Sequence, residues 1–377
     1  MKTHRHSYRN FFYILSTLLI LGTIGCKKED DGTKTKTPLW VYNTGGDPFH
    51  SKPCVKGDSV VFYAGDENVD QGIFLFCVNR NSGNLIWKTL DSLAFGAVSP
   101  LIYNNLIISG GMNPHAIFLK NGNRAWRHID PDYLPAQYSI YNNPLLVGDA
   151  VYFVGMMGVS KHYATSGARV WKTENGELWS NLRASRLVHK NGKLYFGNGG
   201  PFTITSFIES SGQIEWEKTF ESAFSNFPAV SDNEIFIGIQ DSDINNKTLR
   251  CLNLSDRSEK WGVKLGSIMS DVVLDGNRVY AIGMTTVHCR SAGDGSAIWH
   301  YEMNAGAVSE PLITGNKLIV GYGKGLLCFN ATTGELLWEY HTESGYGTDH
   351  GFSSPTLDGD RFYVSCSDGN VYCFNVE

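Results

Sequence analysis

Short runs in which apolar and polar residues alternate recur along the chain from residue 38 to the C-terminus. One unit opens with PLITGN (311–316) and continues with KLIVGY (317–322), and PLLVGD (144–149) and PTLDGD (355–360) open similar units. Glycine, asparagine and aspartate separate the runs. A period of two between such turn residues is typical of antiparallel strands, because successive side chains of a strand point to opposite faces. The pattern therefore predicts many short antiparallel strands.

An eleven-residue phrase closes the units and indicates that they are repeats. It reads CVNRNSGNLIW (77–87), CLNLSDRSEKW (251–261), CRSAGDGSAIW (289–299) and CFNATTGELLW (328–338). Its tryptophans recur about every 37 to 53 residues, the range of repeats that form four-stranded blades. Trp171 is left out of the series, and the eight marker residues are Trp40, Trp87, Trp126, Trp179, Trp216, Trp261, Trp299 and Trp338.

The two ends of the chain together complete one unit. CFNVE (373–377) repeats only the beginning of the phrase, and KTPLW (36–40) supplies a strand that carries Trp40. We therefore predict an all-β fold over residues 38–377, an eight-bladed β-propeller of four-stranded antiparallel blades, closed by an N-terminal strand that completes the C-terminal blade. Such closure leaves no free sheet edge between the first and last units.

The positions of the phrase have a physical interpretation. The first residue is small, which we interpret as room for an indole from a neighbouring blade. The third, often asparagine, can bond the backbone of the next turn, and the glycine supplies a positive φ. The tryptophan fills the gap between blades. Three units depart: RVWKTENGELW (169–179) is one residue shorter between glycine and tryptophan, Ile208 occupies the third position, and Arg257 replaces the glycine.

The phrase resembles the tryptophan-docking motif of the pyrroloquinoline-quinone (PQQ) propeller superfamily. The resemblance covers essentially all of residues 38–377, and the motif recurs in register around the whole chain. It is therefore specific for the fold, but this fold hosts many functions.

The N-terminal residues are expected to be a targeting segment. A basic start, MKTHRHSYRN, precedes the apolar run FFYILSTLLIL (11–21), which is short for a membrane span. Gly25-Cys26 then resembles a bacterial lipobox, so residues 1–25 are predicted to be a lipoprotein signal peptide and Cys26 to be acylated. An ordinary signal peptide with an unrelated cysteine is the alternative. Residues 26–37 are polar and are expected to form a tether. The predicted lipid anchor places the protein at the outer membrane, on the periplasmic side or at the cell surface.

Charge disfavours one class of partner. The chain has 32 Lys and Arg against 37 Asp and Glu, and loss of a basic signal peptide makes the mature chain more acidic still. Binding to nucleic acid requires a basic surface, and the sequence shows no basic stripe. We expect no nucleic-acid partner, contact with the membrane through the lipid anchor only, and a monomeric ring.

The cysteines indicate packing more than chemistry. Five of the eight stand at the first position of the phrase, where we interpret them as small buried apolar residues. Cys366 and Cys373 flank the last turn, and a disulfide between them is left open. The chain has no C-x-x-C or H-E-x-x-H spacing, so the sequence predicts no metal site.

Polar and aromatic residues cluster in segments that join an outer strand to the next inner strand, all on one face of the predicted ring. We take them as a candidate binding face, although loops collect such residues in any case. Its members are Asp47, His50, Tyr133, Tyr138, Tyr141, Leu182, Arg183, Tyr346, Asp349 and His350.

The favoured function is a non-catalytic scaffold that binds an envelope protein. The predicted architecture and lipid anchor resemble the BamB family, propeller lipoproteins of the outer-membrane β-barrel assembly machine. That resemblance implies a partner-binding role for Leu182 and Arg183. The next loop of the family carries an aspartate pair, which ESAFSNFP (221–228) lacks.

Two alternatives remain open. A surface lipoprotein that binds polysaccharide would use the three tyrosines as stacking platforms. A quinoprotein dehydrogenase would use PQQ and Ca²⁺, but that family carries adjacent cysteines and longer loops, and a tricarboxylate needs several cationic partners. We therefore expect no catalytic residues, no PQQ or Ca²⁺ cofactor and no metal.

Overall fold

The computed structural model describes 34–46, 51–66, 69–94, 98–130, 140, 142–155, 158–173, 187–198, 202–221, 228–239, 243, 246–304, 306, 309–323, 325–342 and 351–377. These residues form eight antiparallel sheets, and no helix occurs among them. The prediction of an all-β eight-bladed propeller is confirmed.

Each blade contains four antiparallel strands in the order inner, second, third and outer. Blade 1 is β3 (Cys54–Lys56), β4 (Ser59–Asp66), β5 (Val69–Asn79) and β6 (Leu85–Leu90); blade 2 is β7 (Leu101–Tyr103), β8 (Leu106–Ser109), β9 (His115–Phe118) and β10 (Arg124–Arg127); blade 3 is β11 (Leu145–Val147), β12 (Ala150–Gly155), β13 (Gly158–Tyr163) and β14 (Arg169–Lys172); blade 4 is β15 (Val188–Lys190), β16 (Lys193–Asn198), β17 (Thr203–Ile208) and β18 (Ile214–Thr219). Blade 5 is β19 (Ala229–Val230), β20 (Glu234–Gly238), β21 (Leu249–Asn253) and β22 (Glu259–Val263); blade 6 is β23 (Val273–Asp275), β24 (Arg278–Ile282), β25 (Thr286–Ser291) and β26 (Ala297–Glu302); blade 7 is β27 (Leu312–Thr314), β28 (Lys317–Tyr322), β29 (Gly325–Asn330) and β30 (Leu336–His341), with β1 (Lys34–Thr35) added; blade 8 is β31 (Thr356–Asp358), β32 (Arg361–Cys366), β33 (Asn370–Asn375) and β2 (Trp40–Asn43).

The ring closes where the N-terminal strand meets the C-terminal one. β2 pairs antiparallel with β33, with Trp40 opposite Cys373 and Asn43 opposite Asn370. The amide of Leu39 extends this ladder by donating to the Cys373 carbonyl at 2.7 Å. Inner strands of neighbouring blades contact each other, including β31 with β3 across the closure. The two termini of the propeller are therefore held in one sheet, as the sequence predicts.

Part of the expected tether is ordered as a strand. Lys34–Thr35 pairs in parallel with β30, which gives blade 7 a fifth strand. Lys36 continues the contact, because its amide donates to the Glu339 carbonyl at 2.7 Å and its ammonium lies 5.4 Å from the ring centroid of Trp338. Polarity alone suggested a solvated segment, but an unpaired outer strand accepts any extended backbone beside it.

The core lies between the blades, and each blade repeats one transverse row of side chains. In blade 6 this row is Tyr280, Cys289 and Trp299, which are successive cross-strand partners. The tyrosine and indole ring centroids lie 6.0 Å apart, one on each side of the cysteine. The first position of the phrase is thus small because two large rings of its own blade flank it. Our interpretation that a neighbouring blade's indole requires this is corrected.

Candidate functional site: blade junctions, channel and mouth

Six indoles join their blade to the next through one repeated hydrogen bond. In each of these six, Nε1 donates to a carbonyl in the third-to-outer turn of the following blade, and the ring packs against the turn glycine, whereas Trp338 Nε1 is buried without a hydrogen-bond partner among the described residues. A Cβ on Gly83, for example, would lie 2.8 Å from Trp40 Cδ2. The donor and acceptor pairs are Trp40 to Arg80 (2.9 Å), Trp87 to Leu119 (3.0 Å), Trp126 to Ala164 (3.1 Å), Trp171 to Glu209 (3.2 Å), Trp261 to Ala292 (2.9 Å) and Trp299 to Ala331 (2.9 Å).

Trp171 takes the place in blade 3 that the sequence analysis gave to Trp179. It lies opposite Lys161 and in the same row as Tyr152, and its ring contacts Gly212 of blade 4. Trp179 lies outside the described residues. The missed signal was spacing: Gly167 precedes Trp171 by four residues, as the turn glycine precedes the tryptophan in blades 1, 2, 4, 6 and 7, but Lys161 stands at the position where a small residue was expected.

Arg257 replaces the turn glycine of blade 5 and keeps its conformation. Its φ is 62°, in the left-handed region that favours glycine. Its guanidinium carbon lies 5.5 Å from the ring centroid of Trp216, the marker residue of the preceding blade. A cation–π contact therefore stands where other blades pack glycine against the indole.

The inner strands of blades 1 to 4 line an open cavity of about 720 Å³. Its lining comes from β3, β7, β11 and β15, with Thr356 of β31. Aliphatic residues dominate the wall. Lys52 and His189 are the basic residues that line it. Such a wall suits an apolar group more than a polyanion.

A belt of hydrogen bonds runs between blades at one mouth of this cavity. The amide of Lys52 donates to Ser99 Oγ at 2.8 Å, and the amide of Ser99 donates to Asn143 Oδ1 at 2.7 Å. Glu310 repeats the pattern with Ser354 Oγ at 3.1 Å. Each of these residues precedes a proline, which pre-sets the extended backbone. Charge adds to the belt, because Lys52 Nζ lies 3.8 Å from Glu310 Oε2.

A buried polar network joins blades 1 and 2. The hydroxyl of Tyr63 donates to Asp91 Oδ2 at 2.8 Å, and His115 Nε2 lies 2.7 Å from the same oxygen. His115 Nδ1 lies 2.8 Å from the Asn113 carbonyl, so both ring nitrogens face acceptors. Burial alone would raise the pKa of Asp91, but the bonds from His115 and Tyr63 hold that pKa below its usual value. Burial and the Asp91 charge raise the pKa of Tyr63.

A second polar cluster lies between blades 2 and 3. Asp130 is buried and is paired with Arg169, and Lys172 Nζ lies 3.5 Å from its Oδ2. The rings of His128 and His162 meet edge to face at 4.6 Å. Burial lowers the pKa of His128, and burial also lowers the pKa of His162 to about 3. Both clusters lock blades together and expose little reactive surface.

The cysteines of the described residues are all free thiols. Cys366 lies opposite Asn370, whereas Cys373 lies opposite Tyr363, so these two thiols occupy different rows. The possibility of a disulfide between them is therefore excluded. Burial raises the pKa of Cys251 and Cys328 to about 12 each, which makes these thiols unreactive.

The residues of the candidate binding face are Asp47, His50, Tyr133, Tyr138, Tyr141, Leu182, Arg183, Tyr346, Asp349 and His350, and all of them, with Cys26, lie outside the described residues. Residues 47–50 and 343–350 each belong to a connection from an outer strand to the next inner strand. Their role stays a prediction.

Two further observations concern only the part of the chain that the structure describes. It contains no group of three or more His, Cys, Asp or Glu side chains placed to hold a metal ion. It also contains no helix with the length and apolar character needed to cross a bilayer.

Comparison with known proteins relates the chain to one family and several solved propellers. Residues 155–261 and 245–377 match the family model described as outer membrane protein assembly factor BamB. The crystal structure of BamB from Moraxella catarrhalis superposes with a TM-score of 0.69 at 14% identity, covering 90% of this chain and 100% of that one. Quinohemoprotein alcohol dehydrogenase from Comamonas testosteroni superposes with a TM-score of 0.68 at 13% identity, covering 91% and 77%. At these identities the likeness shows the fold alone.

A curated relative is an enzyme. Tetrathionate hydrolase of Acidithiobacillus ferrooxidans is 23% identical over 363 residues, which cover 82% of this chain and 69% of that protein. Proteins similar to this propeller therefore include both an assembly factor and enzymes.

Proposed function

Because the chain belongs to the family described as outer membrane protein assembly factor BamB, we propose that it is a protein-binding scaffold of the cell envelope. The family model matches more than half of the chain. The fold alone does not select this role over catalysis, so the proposal depends also on the surface.

The surface observation that carries the proposal is apolar exposure on one face of the ring. Ile129 follows an outer strand and Met284 joins a second strand to a third, which places both on the face where outer strands lead to inner ones. Their exposed fractions of 61% and 63% are the highest among the described large apolar residues. Met112 lies exposed on the same face of blade 2. Methionine is enriched in protein interfaces.

In this proposal the lipid on Cys26 holds the ring at the outer membrane, and Leu182 and Arg183 contribute to the partner contact. The missing aspartate pair in 221–228 means that the partner need not be the β-barrel subunit bound by BamB. The partner is an envelope protein that covers exposed apolar side chains.

Photocrosslinking in intact membranes tests the scaffold. A benzophenone amino acid replaces Ile129, and a matched control replaces Asn105, which is exposed in the opposite-face turn of the same blade. We expect a discrete protein adduct from position 129 and none from position 105. Equal adducts from both positions, or none from either at normal expression, would refute a specific scaffold surface.

We propose further that the channel does not take PQQ. A tricarboxylate requires several cationic groups, and the cavity wall offers Lys52 and His189. Reconstitution with PQQ and Ca²⁺, followed by dye reduction with alcohols and sugars, tests this, and a robust rate would overturn it.

An enzymatic role is the second candidate, favoured by the tetrathionate hydrolase relative. Incubation of the purified protein with tetrathionate distinguishes it, since a scaffold leaves tetrathionate unchanged. A polysaccharide-binding role at Tyr133, Tyr138 and Tyr141 requires surface exposure, so protection of the protein from protease on intact cells would exclude that alternative.

A further inference from the structure

Blade 6 places three cation-capable side chains on one face of its outer two strands. His288 and Arg290 alternate with Cys289 on β25, and His300 of β26 is the direct cross-strand partner of His288. Cys289 and Trp299 face blade 7, where they pack in its apolar cluster. His288, Arg290 and His300 therefore face the other way, toward blade 5.

His288 is buried without a hydrogen-bond partner. Its exposed fraction is 8%, and neither Nδ1 nor Nε2 has a partner within the described residues. Arg290 Nε is likewise buried and unpaired. The buried rings of His115 and His162 differ, because both nitrogens of each are bonded. Native proteins rarely leave buried polar nitrogens unpaired, so a missing partner at His288 calls for an explanation.

The surroundings decide what kind of partner fits. The side of blade 5 that faces these residues is apolar. Trp261, Val263 and Leu265 pack there against a hydrophobic cluster to which blade 6 also contributes. None of the ion pairs among the described residues includes Arg290. The acidic residue nearest in sequence to His300 on β26 is Glu302, and it is exposed. A permanently charged guanidinium repels a metal cation, whereas it matches an oxyanion in charge and geometry.

We propose that His288, Arg290 and His300 form a binding site for a small oxyanion between blades 5 and 6. The anion accepts hydrogen bonds from the imidazole and guanidinium nitrogens, and its charge offsets that of Arg290. Phosphate and sulfate share this chemistry, either free or as part of a larger molecule such as a lipid headgroup.

Calorimetric titration of the purified mature protein with inorganic phosphate and sulfate at low ionic strength tests the site. We expect saturable binding near one anion per chain, weakened at least about tenfold by Arg290→Gln. Arg278→Gln is the matched control, because it removes the same charge from the face of blade 6 that carries Tyr280. It should leave the affinity within about twofold of wild type. Absence of saturable binding, or equal weakening by both substitutions, overturns the proposal.

Nuclear magnetic resonance of the histidine rings separates binding from a structural role. Burial, and then the charges of Arg290 and His300, lower the pKa of His288 to about 4. A bound anion stabilises the charged imidazolium, so phosphate should raise the pKa of His288. His300→Gln, a change at an exposed ring, assigns the two neighbouring signals. A His288 titration that is identical with and without saturating phosphate contradicts the site.

A binding experiment with lipid vesicles identifies the source of the anion. Binding to phosphatidylglycerol vesicles that exceeds binding to phosphatidylcholine vesicles, and that Arg290→Gln abolishes, indicates a headgroup phosphate. Binding of free phosphate with no such vesicle preference indicates a soluble oxyanion. Both results keep the site, and loss of the scaffold crosslink at position 129 would leave it untouched.

Discussion

Replacing Trp171 by alanine tests most directly which indole joins blades 3 and 4. The change removes the hydrogen bond from Nε1 to the Glu209 carbonyl, 3.2 Å long. It also removes the ring that packs against Gly212 and lies 5.9 Å from the Tyr152 ring centroid. The matched change is Trp179→Ala, at the residue that the repeat pattern had favoured.

The expected cost follows from burial. Large aromatic residues in cores lose about 3 to 5 kcal/mol when truncated to alanine. Trp171 is half-buried, so we expect a value near the lower end, about 3 kcal/mol. Trp171→Phe keeps most of the ring but not the donor, and it should cost about 1 kcal/mol for the hydrogen bond together with a smaller packing loss.

Thermal unfolding followed by circular dichroism measures the effect. Unfolding entropy scales with chain length, so about 3 kcal/mol in a propeller of this size lowers Tm by about 4 °C. Trp179→Ala should lower Tm by less than about 1 °C. If Trp179→Ala proves as damaging as Trp171→Ala, the assignment of the docking indole in blade 3 is wrong.

Three other outcomes are expected. Gly212→Ala should lower the free energy of unfolding by at least about 3 kcal/mol, because the added Cβ would overlap the docked indole. The control Gly276→Ala has a similar positive φ and nothing within 4 Å of the added Cβ, so it should cost about 1 kcal/mol. Equal losses in a denaturant titration would show that the indole contact contributes nothing. The pKa of His162 is lowered to about 3 from 6.5, because burial disfavours the charged ring. Its contribution to the free energy of unfolding is therefore complete above pH 6.5 and is lost as the pH falls toward 3, by up to about 5 kcal/mol. His162→Asn should flatten the dependence of Tm on pH between these limits, and parallel profiles of the variant and the wild type would contradict this. The thiol of Cys328, whose pKa burial raises to about 12, should react with a disulfide reagent at pH 8 only after unfolding, and rapid labelling of the native protein would contradict the burial.

The repeat phrase was sufficient to predict the blades because it encodes local structure. The turn glycine and the alternating strand depend on residues close in sequence, and they recur in register. Closure was predictable for the same reason, since Trp40 matches the tryptophan that the last phrase lacks. The structure places Trp40 opposite Cys373, which confirms that prediction.

The phrase failed where its letters changed but its geometry did not. Blade 3 carries Lys161 at the first position, and the ammonium of this residue lies 5.5 Å from the Tyr152 ring centroid and donates to Glu209 Oε1. A letter-by-letter comparison therefore shifted the unit from Trp171 to Trp179. The glycine-to-tryptophan spacing was the better guide, because both residues are positioned by the same turn.

The sequence by itself determined the number of blades, their strand order and the closure, since these follow from patterns of side chains within each repeat. Only the tertiary structure decided the fifth strand on blade 7, the hydrogen-bond belt at the cavity mouth, the Tyr63–Asp91–His115 network and the unpaired His288. The first three join residues of different blades or of segments far apart in sequence, and the lack of a partner at His288 depends on how blade 6 packs against blade 5. Such contacts depend on how neighbouring sheets pack, and a local pattern of polar and apolar residues does not encode which residues of distant segments come together.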